Sequence, residues 1–111
     1  GLNGANTTTL SRYMEAGHWG QQLRAAEPQL VIINYGTNES VYGSFVTKYL
    51  ETELRRLIAL VRESVPNSAI LIMSPMDRGT RSDSGEIVTP ETIPDIVRIQ
   101  EKVASDMKVA F

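Results

Sequence analysis

The sequence predicts an α/β fold built on parallel strands, and three observations carry that expectation. Two short apolar runs, Leu30-Val31-Ile32-Ile33-Asn34 and Ala69-Ile70-Leu71-Ile72-Met73, are rich in branched residues and too short to span a membrane. Residues 44–65 lie between them and repeat their apolar positions at helical spacing. Strand, helix and strand in that order form a parallel unit with a right-handed crossover. Unbroken apolar runs of this kind are expected of buried strands.

The elements follow in order. Residues 1–8 are polar and turn-rich, and Asn3-Gly4 is a strong turn dipeptide because glycine accepts positive φ and asparagine tolerates it. A short helix is expected next, with Thr9 as N-cap and Leu10, Tyr13 and Met14 on one face, ended or bent by Gly17. Residues 19–26 read as a further turn or two of helix that Pro28 stops. Beyond the first strand, residues 35–43 read as loop, and Ser44 is the expected cap of the long helix. Its stripe is Val46, Leu50, Leu54, Leu57, Val61 and Val65, widened by Ile58; Glu51, Glu53, Arg55, Arg56, Arg62 and Glu63 fill most of the other side. Pro66-Asn67 closes it.

After the second strand, residues 74–88 form a long polar stretch expected to be loop. A last helix should start near Thr89-Pro90-Glu91, where cap, first-turn proline and acid appear in sequence, although Pro94 leaves its first residue open. Ile93, Ile96, Val97, Val103 and Met107 are its expected apolar face. No internal repeat, low-complexity tract or interdomain linker is visible.

Bulk properties exclude several function classes. The 111 residues carry a formal net charge of -2 with scattered Lys and Arg, so nothing electrostatic favours nucleic acid or an anionic membrane. The absence of cysteine removes disulfides and thiolate catalysis, and the single histidine, His18, removes a multi-histidine metal site within these residues. The chain opens on Gly1, and Val109-Ala110-Phe111 reads as the start of a strand. Residues 1–111 are therefore expected to be one partial domain, truncated at both ends; the alternative is a complete small protein after processing.

In an open α/β sheet, ligands bind just beyond the carboxyl ends of the strands. Tyr35-Gly36-Thr37-Asn38-Glu39-Ser40 follows the first strand directly, so Asn38 is positioned to present its amide to a bound group. A second turn, Gly1-Leu2-Asn3-Gly4-Ala5-Asn6-Thr7, suggests a partner donor. Glycine at position 4 lets the backbone approach a ligand closely, and asparagine supplies neutral N–H donors without burying a charge. Gly36 permits the turn that aims Asn38. The plainer readings are a local Asx turn at Asn38 and a simple turn glycine at Gly4.

Gly4 and Asn38, with the stretches around them, resemble the SGNH hydrolases, also called GDSL esterases and lipases, a family named for blocks around a serine, a glycine, an asparagine and a histidine. Residues 1–7 resemble the glycine block, and Val31-Ile32-Ile33-Asn34-Tyr35-Gly36-Thr37-Asn38-Glu39 is similar to the asparagine block, with Glu39 where an aspartate is common. Ser74-Pro75-Met76-Asp77-Arg78 and residues 93–107 are also similar to bacterial esterases of this type. The resemblance implies a three-layer αβα, flavodoxin-like parallel sheet and acyl-ester hydrolysis by a serine nucleophile, with no metal or other cofactor. It also implies an oxyanion hole to which the Gly4 N–H and the Asn38 amide contribute, the nucleophile's own N–H being the third donor. A secreted or periplasmic location would fit the family; the residues leave the compartment open.

The departures from the pattern are equally specific. The Gly-Asp-Ser block, expected upstream, and the Asp-x-x-His block, expected downstream, are both absent. Ser11, Ser40, Ser44, Ser64, Ser68, Ser74, Ser82, Ser84 and Ser105 read as caps, loop residues or solvent-facing groups, and His18 as a surface or packing residue. A serine hydroxyl is a weak nucleophile without a base to take its proton. Tyr35, Tyr42 and Phe45 are candidates to line an acyl or sugar pocket, with core packing as the alternative for the last two. Asp77 and Arg78 are candidate substrate contacts, Arg81 reads as a solvated loop residue, and Trp19 as a packing aromatic. Three functions are consistent with these residues: the central portion of an esterase for O-acyl esters, with acetyl-carbohydrate esters the substrate class that the family's bacterial members suggest; a noncatalytic glycan- or protein-binding domain of the same fold; and a half-domain completed by another chain.

Overall fold

The computed structural model describes residues 18–36, 40, 43–76, 79–88 and 92–111. Its elements are α1 (His18–Ala26), β1 (Leu30–Ile33), α2 (Gly43–Ser64), β2 (Ala69–Ile72), β3 (Thr80–Arg81), β4 (Ile87–Val88) and α3 (Thr92–Met107). The expected helix around Leu10, Tyr13 and Met14 lies outside the described residues, as does the stretch Thr89-Pro90-Glu91.

β1 and β2 pair in parallel, in the register Leu30↔Ala69 to Ile33↔Ile72. The helix between them is the long α2, one residue longer at its start than expected, so Ser44 lies inside the first turn and not at the cap. Its whole expected stripe is buried: Val46, Leu50, Leu54, Leu57, Ile58, Val61 and Val65. Each such side chain contributes about 1.5–3 kcal/mol by leaving water. Most of them pack with Ile33, Ile70, Ile72 and Val103 in one cluster, against which Trp19, Leu23 and Tyr35 lean; Val46 and Leu50 join Ile96 in a second. Trp19 is thus a packing aromatic. The tail expected as a strand start makes a single parallel bridge, Leu71↔Ala110, with Ile72 N–H donating to the Ala110 carbonyl at 2.9 Å.

Two expectations need correction. β1 is half buried: Ile33 is in the core, whereas Leu30 and Ile32 are 48% and 52% exposed. Successive strand residues point to opposite faces, and the core cluster holding Ile33, Ile70 and Ile72 occupies one face of this sheet. Residues 74–88 are not all loop, because β3 and β4 pair antiparallel. The hairpin is closed by Gly85, at φ +87°, with Gly85 N–H donating to the Ser82 carbonyl and Ser82 N–H donating to the Glu86 carbonyl at 2.7 Å. This is the turn geometry in which a glycine takes the left-handed position of a bulge. Ser40, one of the serines read as caps, loop residues or solvent-facing groups, is 2% exposed.

α3 starts at Thr92, so Pro94 falls in its first turn, where a missing N–H breaks no intrahelical bond. Ile96, Gln100, Val103 and Ala104 are its buried residues; Ile93, Val97 and Met107 are partly buried. The helix ends in a Schellman motif: Val109 N–H donates to the Ala104 carbonyl, Lys108 N–H to the Ser105 carbonyl, and Lys108 sits at φ +56°.

Candidate functional site

Parallel pairing sends both strands out of the same end of the sheet, so residues 34–36 and 73–76 leave side by side. Met73 N–H still donates to the Ile33 carbonyl at 2.9 Å, which carries the pairing one residue beyond β2. Directly above these exits lies Gln100 of α3. Its Nε2 donates to the Tyr35 carbonyl at 2.9 Å and reaches the Met73 carbonyl at 3.4 Å. One side-chain amide therefore holds the exits of both strands. The residue is 2% exposed, and its Oε1 is buried with no hydrogen-bond partner among the described residues. Reversing the amide would aim an oxygen at two carbonyl oxygens, so the pair of acceptors decides which end is nitrogen.

Gly36 follows at φ +125°, a backbone conformation that side chains with a Cβ rarely adopt. It is also tightly enclosed. A Cβ there would stand 3.0 Å from Ile96 Cγ2 and 3.3 Å from Pro75 Cβ. Ser40 N–H donates to the Gly36 carbonyl at 3.0 Å, and Thr92 Oγ1 donates to the Ser40 carbonyl. The two ends of segment 36–40 are thereby brought together and fixed to α3.

Of the residues singled out from the sequence, Tyr35 is partly buried and packs on the main core cluster, and its carbonyl is the group held by Gln100. Gly4, Asn38, Tyr42, Asp77 and Arg78 lie outside the described residues. Arg81 is exposed and donates to the Gly85 carbonyl at 3.4 Å across its own hairpin turn. Gln100 escaped the sequence reading. Its signal was a polar residue on the apolar row, four positions after Ile96 and three before Val103.

A cavity of about 450 Å³ is lined by residues including Arg24, Glu27, Gln29, Ser64 and Asn67. It sits at the amino ends of β1 and β2, the opposite end of the sheet from the strand exits. The rule for open α/β sheets places ligands at the other end, and we assign this cavity no role. Among the described residues no group of His, Asp and Glu side chains is arranged to hold a metal ion. No helix of the described residues is long and apolar enough to cross a membrane.

The family model for the GDSL-like Lipase/Acylhydrolase family matches residues 1–111. No curated protein and no solved structure matches the chain.

Proposed function

The chain belongs to the GDSL-like Lipase/Acylhydrolase family, and from that membership we propose that its protein is a serine esterase acting on O-acyl esters, with acetyl groups on carbohydrate as the favoured substrate class. Membership carries an α/β fold and hydrolase function in general. The finer proposal includes a three-layer αβα, flavodoxin-like sheet and an oxyanion hole using the Gly4 N–H and the Asn38 amide.

In this reaction the serine oxygen attacks the ester carbonyl while a histidine takes its proton. The carbonyl oxygen becomes negatively charged in the tetrahedral intermediate, which collapses with loss of the alcohol; water then releases the acid from the acyl-serine. Donors fixed in advance around that oxygen stabilise the intermediate more than the substrate. No serine in residues 1–111 lies in a Gly-Asp-Ser context, and no Asp-x-x-His occurs. We therefore assign the nucleophile and the general base to segments outside these residues and expect residues 1–111 alone to turn over no ester. Tyr35, Tyr42, Asp77 and Arg78 are the proposed substrate contacts.

The observation that supports this reading most is the frame around Asn38. That residue follows Gly36 by two positions, beyond the carboxyl end of a parallel strand, in a segment whose ends are joined by the Ser40–Gly36 hydrogen bond. The test is Asn38→Ala in the protein expressed from its complete reading frame, assayed on a generic acetyl ester. Turnover should fall about 10²–10³-fold with KM little changed. Unchanged turnover removes the oxyanion role. Binding of an acylated glycan without any turnover by the wild type would favour the noncatalytic alternative.

A further inference from the structure

Three side chains of α3 meet the segment expected to carry the oxyanion donor. Thr92, Ile96 and Gln100 are spaced four apart, so they form one row along the helix. Thr92 donates to the Ser40 carbonyl, Ile96 closes on Gly36 so tightly that a Cβ there would stand 3.0 Å from its Cγ2, and Gln100 donates to the Tyr35 carbonyl at 2.9 Å. The row thus holds Tyr35, Gly36 and Ser40. The same Gln100 amide reaches Met73, at the exit of β2.

A core that needed only packing would place an apolar residue at position 100. Instead a glutamine is 2% exposed there and leaves its Oε1 without a partner among the described residues. An orphaned buried acceptor is unfavourable, so the two donations from Nε2 have a use that outweighs it.

We propose that the Thr92–Ile96–Gln100 row is a positioning device for turnover: it holds Tyr35, Gly36 and Ser40, the anchors between which Asn38 lies in sequence, as the oxyanion role of Asn38 requires. The proposal rests on the oxyanion reading of Asn38 and adds positioning residues to it. Neither Thr92 nor Gln100 touches substrate in this scheme; each acts through the backbone carbonyl it holds. An error of about 1 Å in such a donor costs on the order of 10²-fold in rate.

The experiment uses the protein from its complete reading frame, with acetyl-ester turnover and urea midpoints measured on each variant while it is folded. Gln100→Met keeps the approximate volume and removes the donor. Thr92→Val keeps the shape and removes the hydroxyl, and Thr92→Ser restores a hydroxyl. Gln100→Met and Thr92→Val should each lower kcat about 10- to 100-fold with KM within about twofold, and Thr92→Ser should recover most of that loss. Adding Gln100→Met or Thr92→Val to Asn38→Ala should lower kcat no further, because the row acts only through Asn38. Losses that multiply with that of Asn38→Ala, or near-normal kcat in both row variants, overturn the positioning role and leave the oxyanion reading standing. A harmless Asn38→Ala defeats the oxyanion reading and this proposal with it. Should Gln100→Met fail to fold, the Thr92 pair decides the question alone.

Discussion

Thr92 and Gln100 stand two turns apart on α3 and hold the carbonyls of Ser40 and Tyr35, the two ends of one short segment. A helix is stiff over that distance, so the separation of the two carbonyls is referred to a rigid ruler. The segment begins where a parallel strand ends, which is where an α/β sheet offers its ligand site. The last helix in the described chain therefore holds both anchors of the segment proposed to carry the oxyanion donor.

Gly36 should tolerate no side chain. Its φ of +125° disfavours any Cβ, and the space is already taken by Ile96 and Pro75. Gly36→Ala should cost at least about 2 kcal/mol, combining backbone strain with overpacking, and should shift the urea midpoint without changing the slope. A loss below about 0.5 kcal/mol would show that residues 35–40 relax freely and are not gripped by α3.

Lys108 offers the opposite case. It occupies the left-handed position of a Schellman motif, where L-residues are strained by roughly 1–2 kcal/mol and glycine is not. Lys108→Gly should stabilise the protein by about 0.5–1 kcal/mol, after glycine's greater loss of chain entropy is subtracted. Thermal unfolding of the variant beside the wild type measures it, and a lowered Tm would contradict the motif.

The long helix α2 was legible because six turns of helical spacing leave little choice of face, and every expected stripe residue is buried. The parallel pairing was legible from two short apolar runs separated by that helix. Burial of β1 was overestimated, since a β-branched run reads the same whether one face or two are covered; Ile32 and Ile33 differ only in which side they face. The β3–β4 hairpin was hidden because two-residue strands have no periodicity to detect, and only the Ser84-Gly85 pair hinted at a turn. Asn38 was singled out through its motif, and its place lies outside the described residues. Gln100 was not singled out, because a buried glutamine and an exposed one leave the same mark on a sequence until its neighbours in space are known.

A pH dependence should come from the surface between α2 and α3. Lys102 Nζ donates to Glu51 Oε1 at 2.9 Å, and Arg55 lies 3.5 Å from the other carboxylate oxygen while also pairing with Asp106. The Lys102 hydrogen bond, ahead of the charges of Lys102 and Arg55, holds the Glu51 carboxyl below its ordinary value. A carboxyl whose folded pKa is depressed stabilises the fold fully above its unfolded pKa, and that contribution fades as the pH falls through the folded value. Glu51→Gln should therefore be less stable than wild type at neutral pH, with the gap closing in acid. High salt should narrow it as well, since the pair is solvent-accessible. Urea midpoints of both proteins across the acidic range test this; a gap that is constant with pH would assign the effect to packing.

Ile32 and Ile33 test the proposed third layer. They are chain neighbours on opposite faces of β1, Ile33 in the core and Ile32 52% exposed among residues 1–111. If the complete protein has helices on both faces, Ile32 lies beneath one of them, and a charge placed there would be buried without a partner. In the protein from its complete reading frame, Ile32→Asp should then cost about 2–4 kcal/mol, approaching the cost of Ile33→Asp. Ile32→Val should cost about 0.5–1.5 kcal/mol, as truncation in a packed site does. A two-layer arrangement gives a different pair of values: Ile32→Asp would fall within about 0.5 kcal/mol of wild type while Ile33→Asp remained severe. The contrast between two adjacent residues cancels local strand propensity, so the difference reports which faces of the sheet are covered.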